Sequence, residues 1–155
     1  LCLLDLNGTG ISSVPHPIGK LKLLRYLDLS RNNYIKMLPN SITRLQNLET
    51  LNLSCCRGLI ELPRNFTKLV NLRHLNIDGH WSLTHMPRGL GQLTNLQSLV
   101  EYVLSRDSRC GGELKELHGL NHQRENLRIK ILRHDKDTEL ECKGASLKRS
   151  NTLKA

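Results

Sequence analysis

Leu48–Asn71 reads LETLNLSCCRGLIELPRNFTKLVN, and the segments on either side repeat it. Leu24–Asn47 (LRYLDLSRNNYIKMLPNSITRLQN) and Leu72–Asn95 (LRHLNIDGHWSLTHMPRGLGQLTN) have the same length and punctuation. The leading leucines Leu24, Leu48, Leu72 and Leu96 are spaced by 24, and so are Pro15, Pro39, Pro63 and Pro87. A fixed period in this range marks a stack of structural units, each of which buries its apolar face only against its neighbours.

Within each unit the pattern L-x-x-L-x-L comes first: Leu24/Leu27/Leu29, Leu48/Leu51/Leu53, Leu72/Leu75/Ile77. Its alternating tail predicts a short strand with one buried face. Strands stacked from unit to unit form a parallel sheet at about 4.8 Å spacing. A polar turn follows (SRNN, SCCR, DGHW), and Asn32, Cys56 and His80 share one position in it. Buried backbone groups in that turn need partners, a task that suits Asn. The return segment carries Ile35/Leu38, Leu59/Leu62 and Leu83/Met86, each pair closed by a proline that fixes φ. Ile42/Leu45, Phe66/Leu69 and Leu90/Leu93 then point back into the core from a short helical or extended arc, and Asn47, Asn71 and Asn95 precede the next strand.

Outward from this centre the pattern weakens. The unit from Leu1 to Leu23 matches through Leu4, Leu6, Ile11, Val14, Ile18 and Leu21, but is one residue short near Gly8–Gly10. Its leading leucines have no polar cap, so the isolated chain is expected to be poorly soluble. After Leu96–Leu99, Glu101 stands where a leucine is due, and Tyr102–Leu104 is expected to continue the strand across a bulge. Ser105–Gly112 reads as a polar loop, the segment from Glu113 to Leu120 as a short helical arc, and Leu127–Leu132 as a sixth strand. A helical turn is expected over Asp137–Leu147. The domain division is therefore a repeat domain over 1–133, with four clear repeats in 1–95 and degenerate ones in 96–133, and a poorly ordered polar basic tail over 134–155.

Leucine supplies 33 of the 155 residues and aromatics only 3%, a composition that suits one small shape stacked many times. No run of eighteen apolar residues predicts a membrane span. The start, LCLLDLNGT, has no secretory pattern and resembles the middle of a repeat, so a fragment of a longer protein is expected. The five cysteines form no C-x-x-C, two are adjacent, and their number is odd. That argues against a disulfide framework or zinc site and favours a reducing, cytoplasmic setting. The net charge is +9, from 23 basic and 14 acidic residues. Aromatic residues do not interleave the basic tail, so a stacking platform for nucleic acid is missing, and nucleic acid is not the expected partner.

Groups able to do chemistry are sparse. His118 and His122 lie four apart, but H-E-x-x-H is absent and Gly119 weakens a helix between them. His80, Trp81 and His85 read as a packed surface cluster. Cys55–Cys56 has no matched base. An enzyme, a metal site and a bound cofactor are not expected.

The strand positions between the leucines remain. They form columns up the stack: Arg25, Glu49, Arg73, Gln97; Tyr26, Thr50, His74, Ser98; Asp28, Asn52, Asn76; Ser30, Ser54, Asp78. Side chains vary along these columns while the leucines stay fixed, as a recognition surface requires. Tyr and Arg are enriched at binding hot spots. The partner-binding residues expected are Arg25, Tyr26, Asp28, Glu49, Thr50, Asn52, Arg73, His74, Asn76 and Gln97.

The pattern L-x-x-L-x-L…L-x-x-L-P-x-x-I-x-x-L-x-N across Leu24–Leu99 resembles the leucine-rich repeat family. That resemblance implies an α/β fold, a horseshoe-shaped solenoid with a parallel sheet on its concave face and irregular or short helical arcs on its convex side. The steps Lys36-Met-Leu-Pro, Glu61-Leu-Pro and His85-Met-Pro lack the G-x-I-P glycine of extracellular plant receptors and are similar to intracellular repeats. Leu83–Gln97 and Gly111–Asn121 resemble the sensor region of plant nucleotide-binding leucine-rich repeat resistance proteins. The resemblance implies pathogen perception: binding a pathogen effector or a guarded host protein, and packing against the receptor's nucleotide-binding module. Nucleotide binding itself does not carry over, because no G-x-x-x-x-G-K-[ST] loop is present. An alternative is a general intracellular scaffold that binds a signalling protein such as a small GTPase.

Overall fold

The computed structural model describes residues 1–80, 82–104, 114–120, 127–131 and 138–142, with side chains described up to 104 and over 115–120. The expected loop at 105–112, Trp81 and the chain beyond 142 lie outside these residues.

The repeats coil into a solenoid. Strands β1 (Leu3–Asp5), β2 (Tyr26–Asp28), β3 (Thr50–Asn52), β4 (His74–Asn76) and β5 (Ser98–Leu99) form one five-stranded parallel sheet in chain order. Its register aligns Leu4, Leu27, Leu51, Leu75 and Leu99. The missing residue of the first repeat falls outside the strand, so the ladder is preserved. Leu27, Leu29, Leu51, Leu53, Leu75 and Ile77 are fully buried, as are the return residues Ile35, Leu59, Ile42 and Phe66. One continuous apolar column therefore runs through the stack.

Each of the first four strands ends in a turn whose second residue lies in the left-handed region. Gly8 (φ 62), Arg31 (φ 60), Cys55 (φ 56) and Gly79 (φ 73) are repeat equivalents. Below it, Asn32 Nδ2 donates to Leu6 O and Leu29 O, both at 2.8 Å. Cys56 Sγ, at the same position one repeat later, donates to Leu29 O at 3.1 Å. The turn position thus satisfies buried carbonyls, as its polar composition predicts.

On the convex side the chain makes short 3-10 turns at His16–Lys20, Asn40–Arg44, Phe66–Lys68, Leu90–Gln92 and Leu114–Gly119. Pro15 and Pro39 start the first two from extended backbone. Asn47, Asn71 and Asn95 donate to Lys22 O, Gln46 O and Val70 O of the preceding repeat, at 2.8–2.9 Å, and tie the arcs together. Gly19, Thr43, Thr67 and Gly91 occupy one column of these arcs. At Gly19 a Cβ would strike the Ser41 backbone, and at Gly91 the Glu116 backbone. The arcs approach to backbone contact at these two glycine seams.

The fifth repeat departs from the pattern. Only Val100 separates β5 from β6 (Glu101–Leu104). Met86 N donates to Val103 O at 3.1 Å, so β6 lies beside the return segment of the fourth repeat. Val103 stands four residues after Leu99, whereas Met86 stands eleven after Leu75: the polar turn has been skipped. Strand β6 therefore opens a second sheet instead of extending β5 across a bulge. It pairs in parallel with β7 (Leu127–Ile131), which pairs antiparallel with β8 (Thr138–Cys142). The helical turn expected over 137–147 is replaced in part by β8. Thr138, Leu140 and Cys142 alternate with the acids Glu139 and Glu141, a strand period, and the segment satisfies the free edge of β7.

Candidate partner-binding face

The strands are only two or three residues long, yet their register is fixed by the leucine ladder. The intervening side chains therefore recur at fixed places on the concave face. Arg25 and Glu49 lie on adjacent repeats, 68% and 37% exposed, with 3.6 Å between Nη1 and Oε1. An exposed pair of this kind contributes roughly 0.2–1 kcal/mol, and here it mainly orients two side chains. Arg73, His74 and Gln97 are exposed, and Tyr26 and Thr50 are half-buried. Together these seven form a continuous polar surface across four repeats, with cationic, anionic, amide, hydroxyl and aromatic groups side by side.

The third column behaves differently. Asp28 is buried, 5% exposed, and Asn52 and Asn76 are half-buried. Each turns an oxygen back on the chain. Asp5 Oδ1 accepts from Asn7 N at 2.9 Å, Asp28 Oδ1 from Ser30 N at 2.8 Å, Asn52 Oδ1 from Ser54 N at 3.1 Å, and Asn76 Oδ1 from Asp78 N at 3.1 Å. This is an Asx turn at the end of each of the first four strands, and it directs the backbone into the left-handed position that follows. Sequence reasoning placed Asp28, Asn52 and Asn76 on the recognition surface and passed over Asp5. The signal for the turn role lies in the repeats themselves: this column holds only Asp or Asn, while its neighbours vary freely.

Asp28 also binds Tyr26, of the second column of the face, to the turn. Its Oδ2 accepts from Tyr26 Oη at 3.0 Å and from Asn52 Nδ2 at 2.8 Å, and Ser30 Oγ donates to its Oδ1. Burial alone disfavours the charged carboxylate. The hydrogen bonds from Ser30, Asn52 and Tyr26 outweigh it and hold Asp28 below the usual carboxylate range. Burial and the neighbouring Asp28 carboxylate raise the Tyr26 phenol. Tyr26 is thereby locked as a neutral, oriented ring. Cys56 is buried and its thiol is pushed up, chiefly by desolvation, so it packs as a neutral side chain.

Among the described residues no group of three His, Cys, Asp or Glu side chains is placed to hold a metal ion. No helix among them is long and apolar enough to cross a membrane. The arrangement offers fixed polar contacts over an extended shallow surface, which is the chemistry of macromolecular recognition.

Comparison with known proteins agrees with this geometry. Residues 1–153 match a family model described as a leucine-rich repeat region. No curated protein matches the chain. Among solved structures, a leucine-rich repeat protein of Leptospira interrogans is similar at 29% identity with a TM-score of 0.49, over 84% of this chain and 36% of that one. A plant peptide hormone receptor, RGFR1, in complex with RGF2 is similar at 25% identity with a TM-score of 0.42, over 77% of this chain and 22% of that one. The chain therefore spans well under half the length of either.

Proposed function

Since this chain belongs to the leucine-rich repeat family, whose fold serves as a protein-interaction module, we propose that it is the sensor segment of a plant intracellular immune receptor. In this reading a pathogen effector or a guarded host protein binds the concave face, and the solenoid also packs against the receptor's nucleotide-binding module. The mechanism is differential binding: the partner favours one arrangement of sensor and switch over another. The protein works in the cytoplasm and catalyses no reaction of its own.

The observation that carries the reading is the division of labour within each strand. Buried leucines and the Asx column are held constant from repeat to repeat, while Arg25, Tyr26, Glu49, Thr50, Arg73, His74 and Gln97 differ and reach the surface. A scaffold that varies only where it meets solvent is suited to choosing a protein partner. Assignment to an intracellular receptor is supported by the Leu38-Pro39, Leu62-Pro63 and Met86-Pro87 steps, which lack the G-x-I-P glycine, and by the likeness of Leu83–Gln97 to the resistance-protein sensor.

The test is to combine Arg73→Ala with His74→Ala in the full-length receptor. Loss of two central contacts is expected to weaken partner capture by about tenfold, or to release autoinhibition. If no concave-face variant alters either, the reading fails.

A further inference from the structure

The convex arcs carry a second surface that the concave reading does not use. Between Asp5 and Glu49 the only acidic residue is Asp28, which is buried in the strand-end network. Over the same span lie Lys20, Lys22, Arg25, Arg31, Lys36 and Arg44. On the arcs the cations fall into register. Lys20, Arg44 and Lys68 are repeat equivalents spaced by 24, each the last residue of its 3-10 turn, and all three are exposed. None has an ion-pair partner among the described residues. They line a groove of about 490 Å³ together with His16, Ser41 and Asn65, and no acidic residue lines it. The groove crosses three repeats, so its cations follow one another along the solenoid axis.

We propose that this groove docks an acidic polypeptide segment, extended along the solenoid axis so that successive carboxylates meet Lys20, Arg44 and Lys68. An extended chain places alternate side chains roughly 6.6 Å apart on one face, and the long Lys and Arg side chains can adjust to that spacing. The amides and hydroxyls that line the groove suit the backbone of such a segment. A single-stranded nucleic acid would need a series of aromatic rings to stack on, and the groove offers only the His16 imidazole. A duplex would need an element long enough to enter a major groove, and these turns are three to five residues long. A membrane surface would need exposed apolar side chains to insert, and Pro17 alone does not supply them. The surface is distinct from the concave face, so the chain would hold two partners at once.

The experiment uses the whole 155-residue chain and a fluorescein-labelled decapeptide of alternating glutamate and glycine, followed by anisotropy at low and at physiological salt. Lys20→Ala combined with Arg44→Ala is expected to weaken binding roughly five- to tenfold, as two exposed ion pairs would. Lys68→Ala alone gives a smaller loss. Arg31→Asn combined with Lys36→Ala removes the same charge elsewhere and is expected to change binding less than twofold. Equal losses from the two pairs would show a net-charge effect and overturn the proposal, as would no loss from either. Labelled duplex DNA and phosphatidylserine vesicles are the competing probes. If either binds more tightly than the peptide and depends on Lys20 and Arg44, the acidic polypeptide is the wrong occupant. Matching thermal unfolding of all variants shows that the losses are local.

Discussion

At the scale of single residues, Asp28 is the most heavily used side chain of the face, and its work is internal. It receives the Tyr26 hydroxyl, the Asn52 amide and both donors of Ser30. Because its folded pKa lies below the unfolded value, the stability it contributes is fully present above about pH 4. That contribution is lost as pH falls through the lowered folded value. Asp28→Asn keeps an oxygen for the Asx turn, as Asn52 and Asn76 do, but loses the charge. We expect the variant to be less stable by about 1 kcal/mol at neutral pH, with a flatter decline below pH 4. Denaturant unfolding across that range measures both. An acid limb unchanged by the substitution would remove Asp28 from this role. The strain at the turns was hidden at this scale for a plain reason. Gly8 and Gly79 advertise a left-handed residue, whereas Arg31 and Cys55 at the equivalent positions do not.

At the scale of elements, the leucines, the prolines and the pre-strand asparagines made the five-stranded sheet legible before any coordinates, because every buried position has copies one period away. The fifth repeat was not legible in the same way. Period-based reading assumes that each residue does what its copy does, and β6 breaks this by skipping a turn and moving from the strand ladder to the return ladder. Its buried Glu101, Tyr102 and Val103 have no equivalents to be read against. The arcs depend on another local feature, the glycines of the first and fourth repeats. At Gly91 an added methyl meets the Glu116 backbone, which cannot turn away as a side chain can. Gly91→Ala is expected to cost about 1–3 kcal/mol, while Thr67→Ala at the same column is expected to cost less. Thermal melts of the two variants make the comparison.

At the scale of the whole molecule, the isolated 155-residue chain presents an apolar edge at its first strand. Leu1 and Leu3 are 66% and 57% exposed, and β1 pairs on one side only. An exposed strand edge with apolar side chains is a template for association. The chain is expected to self-associate as concentration rises, and Leu3→Lys to shift it towards monomer. Light scattering across a dilution series tests this, and a monomer at high concentration without the substitution would contradict it.

The glycine seams also have an elastic consequence. Opening the concave face requires the strands to spread while the arcs behind them close up. Where Gly19 and Gly91 already bring the arcs into backbone contact, little closure is left, since packed interiors resist compression. The solenoid is thus braced against opening at both of these seams, one on either side of Glu49, Thr50, Arg73 and His74, and a partner on the concave face meets a surface of fixed curvature there.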